Sequence, residues 1–311
     1  MEKLIVSTSP HIRCKDTTQR IMLDVLIALA PATVMAVVLF GLKALLMVAV
    51  CTVAAVGSEF LFNLMTKKRQ TVTDLSAAVT GLLLALNLPT TATVWQCIVG
   101  SVFAIIVVKC LFGGIGCNFA NPAITARVFL LVSFTGSVAG GVTPGATELQ
   151  AGATPLEAIK NGATESLPSL LDMLFGLRGG AIGEVCAIAL LAGFVYLVAR
   201  RVIYWYVPAT MIATVFVLSL IILGDFTLAL YQVLGGGLLI SAIFMATDYS
   251  TTPINKLGKV VFAFGAGLIT VLIRTYGSYP EGVSFAILLM NILSPYIEKL
   301  CTKKPFGKVG K

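Results

Sequence analysis

The sequence predicts an all-α polytopic membrane protein of about ten transmembrane helices, arranged as two inverted five-helix repeats with a broken helix near residues 113–134. Three observations lead there. Of 311 residues, 58% are hydrophobic and 12% charged, with a mean hydropathy of +0.97. A soluble domain has an apolar share nearer half and roughly twice the charge. Apolar runs able to cross roughly 30 Å of hydrocarbon recur along the chain, each ending at a charge cluster or a Gly/Pro break. Finally, Leu84-Ala85-Leu86-Asn87-Leu88-Pro89-Thr90-Thr91 lines up with Met245-Ala246-Thr247-Asp248-Tyr249-Ser250-Thr251-Thr252.

Residues 1–22 are polar and read as a cytoplasmic arm. They lack a short apolar stretch with a small-residue cleavage site, so the first span is the expected insertion signal. The first repeat occupies 23–134, with spans at about 23–41, 44–65, 74–88 and 93–112 and a short one at 122–134. The second occupies 182–298, with spans at about 182–199, 207–223, 227–245, 259–274 and 282–298. Both members of the internal likeness close the third span of their half, and Val108-Lys109 with Gly113 match Ile273-Arg274 with Gly277 further on. An odd number of spans per half turns the second half upside down, the architecture in which transporters place functional sites on broken helices.

Basic residues stay on the cytoplasmic side during insertion. A cytoplasmic N-terminus gathers Lys3, Arg13, Lys15, Arg20, Lys67, Lys68, Arg69, Arg200, Arg201, Lys256, Lys259 and the basic tail 299–311 on one side. The other side receives Lys43, Lys160, Arg178 and Arg274. Both termini are therefore expected in the cytoplasm, and loop 135–181, acidic on balance, on the opposite face. The formal charge of +8 is largely topology. Its dispersal over short segments without aromatic interleaving gives no support to nucleic-acid binding.

Two segments carry chemistry. In loop 135–181, Gln150-Ala151-Gly152-Ala153-Thr154-Pro155-Leu156 sets a small Gly-Ala-Thr on polar chain with no packing reason for it, which reads as an attachment point with an exposed hydroxyl. The segment Gly113-Gly114-Ile115-Gly116-Cys117-Asn118-Phe119-Ala120-Asn121-Pro122-Ala123 is too polar and glycine-rich for lipid-facing helix. Either it is buried or faces a cavity, with the amides after Asn121 aimed into it, or it is an interfacial loop before a short helix. Asparagine before proline is equally at home as a helix cap.

Charged residues in or beside spans are ion-path candidates, because an unpaired charge in the membrane costs a few kcal/mol or more. Glu59 and Asp248 are the two singled out. Lys109 and Asp74 read as snorkelling or capping residues, Arg127 as a charge partner for a bound anion, and Asp24 as facing the interface. The seven cysteines, at 14, 51, 97, 110, 117, 186 and 301, form no C-x-x-C pair and read as packing residues, Cys117 included. His11 is the single histidine, so no haem pair or histidine metal site is expected. There is no Walker loop, no dinucleotide fingerprint and no soluble domain.

Ser9-Pro10-His11-Ile12-Arg13, Thr18-Gln19-Arg20-Ile21-Met22-Leu23-Asp24-Val25, Asn118-Phe119-Ala120-Asn121-Pro122-Ala123 and Gly152-Ala153-Thr154-Pro155-Leu156 together resemble the family shared by the D subunit of the Rnf complex and the B subunit of the sodium-pumping NADH:quinone reductase. The likeness runs the whole length, and the N-terminal motif and compact length favour the Rnf branch. It implies a membrane redox subunit of a ferredoxin:NAD oxidoreductase coupled to sodium or proton translocation. It further implies FMN in phosphoester linkage to Thr154, a riboflavin contacted by Asn118 and Asn121, and Arg127 beside a reduced flavin. The implied partners are a flavin transferase, a second flavin subunit, iron–sulfur subunits and other membrane and peripheral subunits, in a prokaryotic cytoplasmic membrane. Two departures stand out: Ala151 occupies a position usually Ser or Thr, and Leu149-Gln150 replace an upstream Asp-Gly or Asp-Ala pair. A second Gly-Ala-Thr, Pro144-Gly145-Ala146-Thr147, is followed by Glu148 where the family has proline. The competing classes are a permease or channel of the same architecture without redox chemistry, and a scaffold subunit that seals a complex.

Overall fold

The computed structural model describes residues 17–142, 144, 154–162 and 167–302. The arm motif Ser9–Arg13, residues 145–153 with Gly152 and Ala153, and the basic tail beyond residue 302 lie outside the described residues. Among those described the chain is helical, with one isolated bridge between Val142 and Gly180.

The first half begins with α1 (Thr18–Phe40) and α2 (Leu42–Met65). Thr17 caps α1 by accepting the Arg20 amide at 3.3 Å, and Gly41, at φ 70°, makes the turn between the helices. α3 (Ser76–Leu86) follows, then α4 (Val94–Val102), which runs on through a π-helical stretch at Phe103–Cys110, and α5 (Pro122–Ser133). Three short helices build the long loop: α6 (Thr135–Val138), α7 (Pro155–Lys160) and α8 (Leu170–Phe175). The second half comprises α9 (Ala187–Ala199), α10 (Tyr206–Leu223), α11 (Phe226–Leu234), α12 (Leu238–Ile240) with a π-helical stretch at Ser241–Met245, α13 (Lys256–Tyr276) and α14 (Val283–Cys301).

Five helices, α1, α2, α10, α13 and α14, are long and apolar enough to cross a membrane. A sixth crossing is available to α11 and α12, which are bent by 61° at their break. Shorter apolar helices, of 10–17 residues, stand at four of the remaining expected spans. Two expected spans are shorter than their apolar runs. Residues 72–75 form a 3₁₀ turn closed by Leu75 at φ 61°, so α3 starts at Ser76. Residues 182–186 stay non-helical because they are committed elsewhere: the Ile182 amide donates to Leu88 O (3.0 Å) and the Gly183 amide to Leu86 O (2.7 Å). Carbonyls at the end of α3 are thereby satisfied inside protein, the condition for breaking a helix at membrane depth.

Small residues set the close crossings. A Cβ on Gly193 of α9 would collide with the Ala28 carbonyl oxygen of α1, and one on Gly81 of α3 would lie 2.7 Å from Cys51 O of α2. The apolar faces of α1 and α2 point outward at Val38, Leu42 and Val53, as lipid-facing helices require.

Candidate functional site

Gly113, Gly114 and Gly116 all have positive φ, which lets residues 111–121 fold back before α5. Asn121 caps that helix: its Oδ1 accepts the amides of Ala123 (3.0 Å) and Ile124 (3.3 Å), and Pro122 fills the first turn. The amides expected to face a cavity are therefore already taken by the asparagine beside them. The other end of the Asn121 amide crosses to the second half and donates to Asp248 Oδ2 at 3.3 Å.

Asp248 follows the π-helical stretch. Its carboxylate also accepts from the Ser250 amide (3.1 Å), Ser250 Oγ (2.9 Å) and Thr251 Oγ1 (3.3 Å). Burial pushes this carboxyl up from the usual carboxylate range, and those hydrogen bonds pull it back. Between the two breaks opens a cleft with about 90 Å³ of internal free space, lined by Val25, Lys109, Asn118, Asn121, Phe244 and Tyr249 among others. Asn118 Oδ1 is buried with no hydrogen-bond partner.

Glu59 is not a lone charge. Lys109, 2% exposed, donates to Glu59 Oε1 at 2.8 Å and to Ser76 Oγ at 2.7 Å, and Thr71 donates to the same glutamate oxygen at 2.7 Å. Asn63 extends the chain by donating to Thr71 at 3.0 Å. Lys109 therefore does not snorkel; a carboxylate on the neighbouring helix holds it inward.

Arg127, 3% exposed, forms an ion pair through Nη2 with Glu281 in the α13–α14 linker, while its Nη1 has no partner. Its charge is balanced within the protein, so a role beside an anion is left to the unpaired N–H group. Glu281 was invisible in sequence as the partner, being 154 residues away. Asp24 does not face the interface: it is buried and accepts from Tyr196 (2.9 Å) and Arg200 (3.2 Å) at the far end of α9. Cys117 is exposed rather than packed, whereas Cys51, Cys97, Cys110 and Cys186 are buried. Among the described residues no three His, Cys, Asp or Glu side chains converge as a metal site.

The loop after α5 is more structured than its composition suggested. Val138, Val142, Leu156, Met173 and Arg178 are all buried. Thr154, expected to expose its hydroxyl, is 5% exposed and caps α7, Oγ1 accepting the Glu157 amide at 3.3 Å. Its γ-methyl group stands against Gly141, where a Cβ would approach within 2.9 Å. Leu156 packs on the α11–α12 break at Gly235 and Gly236, and Lys160 donates to the Gly277 carbonyl. Below α7 lies a second cleft of about 650 Å³, reaching Gln232 and Arg274. Arg274 Nη1 bonds to Gln232 O and Nη2 to the carbonyls of Gly235 (3.2 Å) and Gly236 (3.3 Å), tying off the end of α11. Arg178 is likewise wholly internal, donating to Glu184 O at 2.7 Å; burial pulls its guanidinium down from its usual value and Glu184 pushes it back up. Neither arginine stood out in sequence, because each pairs with carbonyls of a backbone break.

Helices broken around buried polar groups and faced with lipid-compatible side chains define a polytopic membrane protein. The chain belongs to the NQR2, RnfD, RnfE family, which it matches over residues 5–307. It is 46% identical over 306 residues to the D subunit of the Na(+)-translocating ferredoxin:NAD(+) oxidoreductase complex of Acetobacterium woodii, covering 98% of this chain and 95% of that one. It is 38% identical to the D subunit of the proton-translocating ferredoxin:NAD(+) oxidoreductase complex of Clostridium ljungdahlii, over 97% and 96% of the two chains. With the D subunit of the ion-translocating oxidoreductase complex of Stutzerimonas stutzeri the identity is 34%, over 94% and 93%. All three relatives belong to oxidoreductase complexes, as the sequence motifs implied.

Proposed function

We propose that this chain is the membrane-embedded D subunit of a ferredoxin:NAD oxidoreductase that relays electrons through flavin and couples them to sodium or proton export. FMN is carried on Thr154, and a riboflavin lies in the cleft at Asn118. The observation that carries this reading is the unpartnered, buried Oδ1 of Asn118 in the lining of the cleft between the two breaks. A bound flavin supplies one- and two-electron transfer. The chain's own residues would bind and orient it: Asn118 Oδ1 would accept an N–H, Phe244 and Tyr249 would supply apolar and aromatic wall, and the buried Lys109–Glu59 pair would keep the charge of the lining balanced.

Thr154 fits attachment in chemistry and position but not in its present packing. Its hydroxyl caps a helix of only six residues, so esterification requires that cap to open or to form afterwards. A flavin transferase then acts on loop 135–181 before α7 settles on the α11–α12 break. Supporting the ten-span inverted arrangement, the two members of the internal likeness end α3 and the α12 π-helical stretch, and matched Lys109 and Arg274 are both internal. Asn121–Asp248 and Arg127–Glu281 join the halves and are the contacts that must rearrange if the two faces open alternately. The complex sits in the cytoplasmic membrane with both termini of this chain inside, among flavin and iron–sulfur partner subunits that bind the soluble substrates.

Inverted membrane vesicles containing the whole complex test this. Reduced ferredoxin should drive NAD reduction together with ion uptake in wild type, and Thr154→Val should abolish both while leaving the complex assembled. Unchanged uptake in the assembled mutant would overturn the proposal.

A further inference from the structure

Beside the cleft between the two breaks, and sharing Asn118, Tyr249 and Ser250 with it, lies a second depression of about 400 Å³. It is lined by Asn118, Thr251, Thr252, Asn291, Ser294 and Glu298 among others, and by no lysine or arginine among the described residues. Asn291 is 1% exposed, and neither Oδ1 nor Nδ2 of its side chain has a partner. A fully buried asparagine with neither amide atom hydrogen-bonded is costly, and native proteins keep such groups where water, an ion or another ligand completes them.

The backbone adds a second anomaly at the same residue. α14 contains Pro295, which has no amide to give the Asn291 carbonyl four residues earlier. The Asn291 carbonyl thus lacks its helical donor, and the side-chain oxygen of the same residue has no partner either. Asn118 Oδ1, likewise unpartnered, belongs to a residue lining the same depression. Thr251 and Thr252 direct their hydroxyl protons to Asp248 Oδ2 (3.3 Å) and Asp248 O (2.6 Å), leaving oxygen lone pairs for another group. Glu298, held by the Ile254 amide and Asn255 Nδ2, both at 2.8 Å, is the one carboxylate in the lining.

We propose that this depression is a monovalent cation site, with Asn118 Oδ1, Asn291 Oδ1 and the Asn291 carbonyl as its oxygen ligands and the Thr251 and Thr252 hydroxyls completing the shell. Neutral oxygens dominate, and hard cations take such ligands. A single carboxylate nearby matches one positive charge rather than two. A planar ligand with adjacent N–H and C=O groups could instead pair with both ends of the Asn291 amide. It would leave the proline-freed carbonyl unexplained, and the cation accounts for it. The site shares Asn118 with the flavin cleft and so joins the proposed electron carrier to the proposed ion, but it stands on its own geometry.

The test uses the purified full-length chain in detergent, expressed without a flavin transferase, and follows thermal unfolding in sodium, potassium or choline chloride at equal ionic strength. Wild type should be stabilised by sodium or potassium over choline in a saturable way. Asn291→Leu and Pro295→Ala should each weaken that effect at least tenfold, and both should unfold at a higher temperature than wild type in choline, because each removes an unsatisfied group. A purely structural Asn291 would lower stability in every salt when replaced, and that result overturns the proposal. So would a wild type indifferent to the cation, or one stabilised in an Asn291-dependent manner by lumiflavin but not by sodium or potassium. Because the chain carries no FMN here, failure of the cation site leaves the Thr154 attachment proposal untouched, and loss of that attachment leaves the cation site untouched; only the Asn118 oxygen is common to the cation site and the riboflavin cleft.

Discussion

Lys109 shows how much a single residue's role depends on a partner the sequence does not announce. An isolated lysine near a span end reads as snorkelling, and nothing in the chain says that Glu59, 50 residues earlier, stands opposite it. In the structure the pair is buried at 3% and 2% side-chain exposure, with Thr71 and Ser76 completing the hydrogen bonds. Removing one member of such a pair strands the other, a loss of about 3–5 kcal/mol. Lys109→Met is therefore expected to lower the unfolding temperature of the purified chain sharply, and adding Glu59→Gln should restore much of the loss. If the double variant is as unstable as the sum of the singles, the two charges are not coupled. Asn121 was legible as either ligand or cap, because Asn-Pro supports both readings, and the structure shows its oxygen capping α5 while the residue also lines the cleft.

At the scale of elements, periodicity and hydropathy revealed the long helices, and glycine and proline marked the region of the break before α5. They did not reveal that residues 182–186 bend back to satisfy α3, since an apolar run looks alike whether helical or extended. The long loop was misread for a related reason: its composition is polar on average, yet Val142, Leu156 and Met173 anchor it to the bundle. Arg274 is the clearest consequence of a break. Truncation in Arg274→Met leaves carbonyls of Gln232, Gly235 and Gly236 without their donor, at about 1–3 kcal/mol for each group left unsatisfied. Arg274→Lys should recover little, because one ammonium cannot reproduce the forked contacts. Full rescue by lysine would show that charge alone matters there. Helix crossings make a parallel case. Gly193→Leu drives a side chain into the Ala28 carbonyl, so α1 and α9 must separate; overpacking costs about 1–3 kcal/mol or more. A disulfide-trapping assay between α1 and α9 should lose its yield in that variant, and an unchanged yield would show that the crossing tolerates the side chain.

For the molecule as a whole, composition marks a membrane protein, and the motifs point to the family on their own. What sequence does not carry is the pairing across halves, Asn121 with Asp248 and Arg127 with Glu281, which depends on where the two breaks meet in space. Those contacts frame the cleft in which a flavin would sit, while Thr154, the proposed attachment point, lies on the separate loop that packs on the α11–α12 break. The proposed carriage of flavin on Thr154 is what would make this chain an electron relay rather than a permease. That role is tested most directly by co-expressing the chain with a flavin transferase, denaturing it, and viewing the gel under flavin excitation for wild type and Thr154→Val. The account predicts a fluorescent band in wild type that disappears in the variant; a wild type without fluorescence beside an active transferase would contradict it and favour a permease of the same fold.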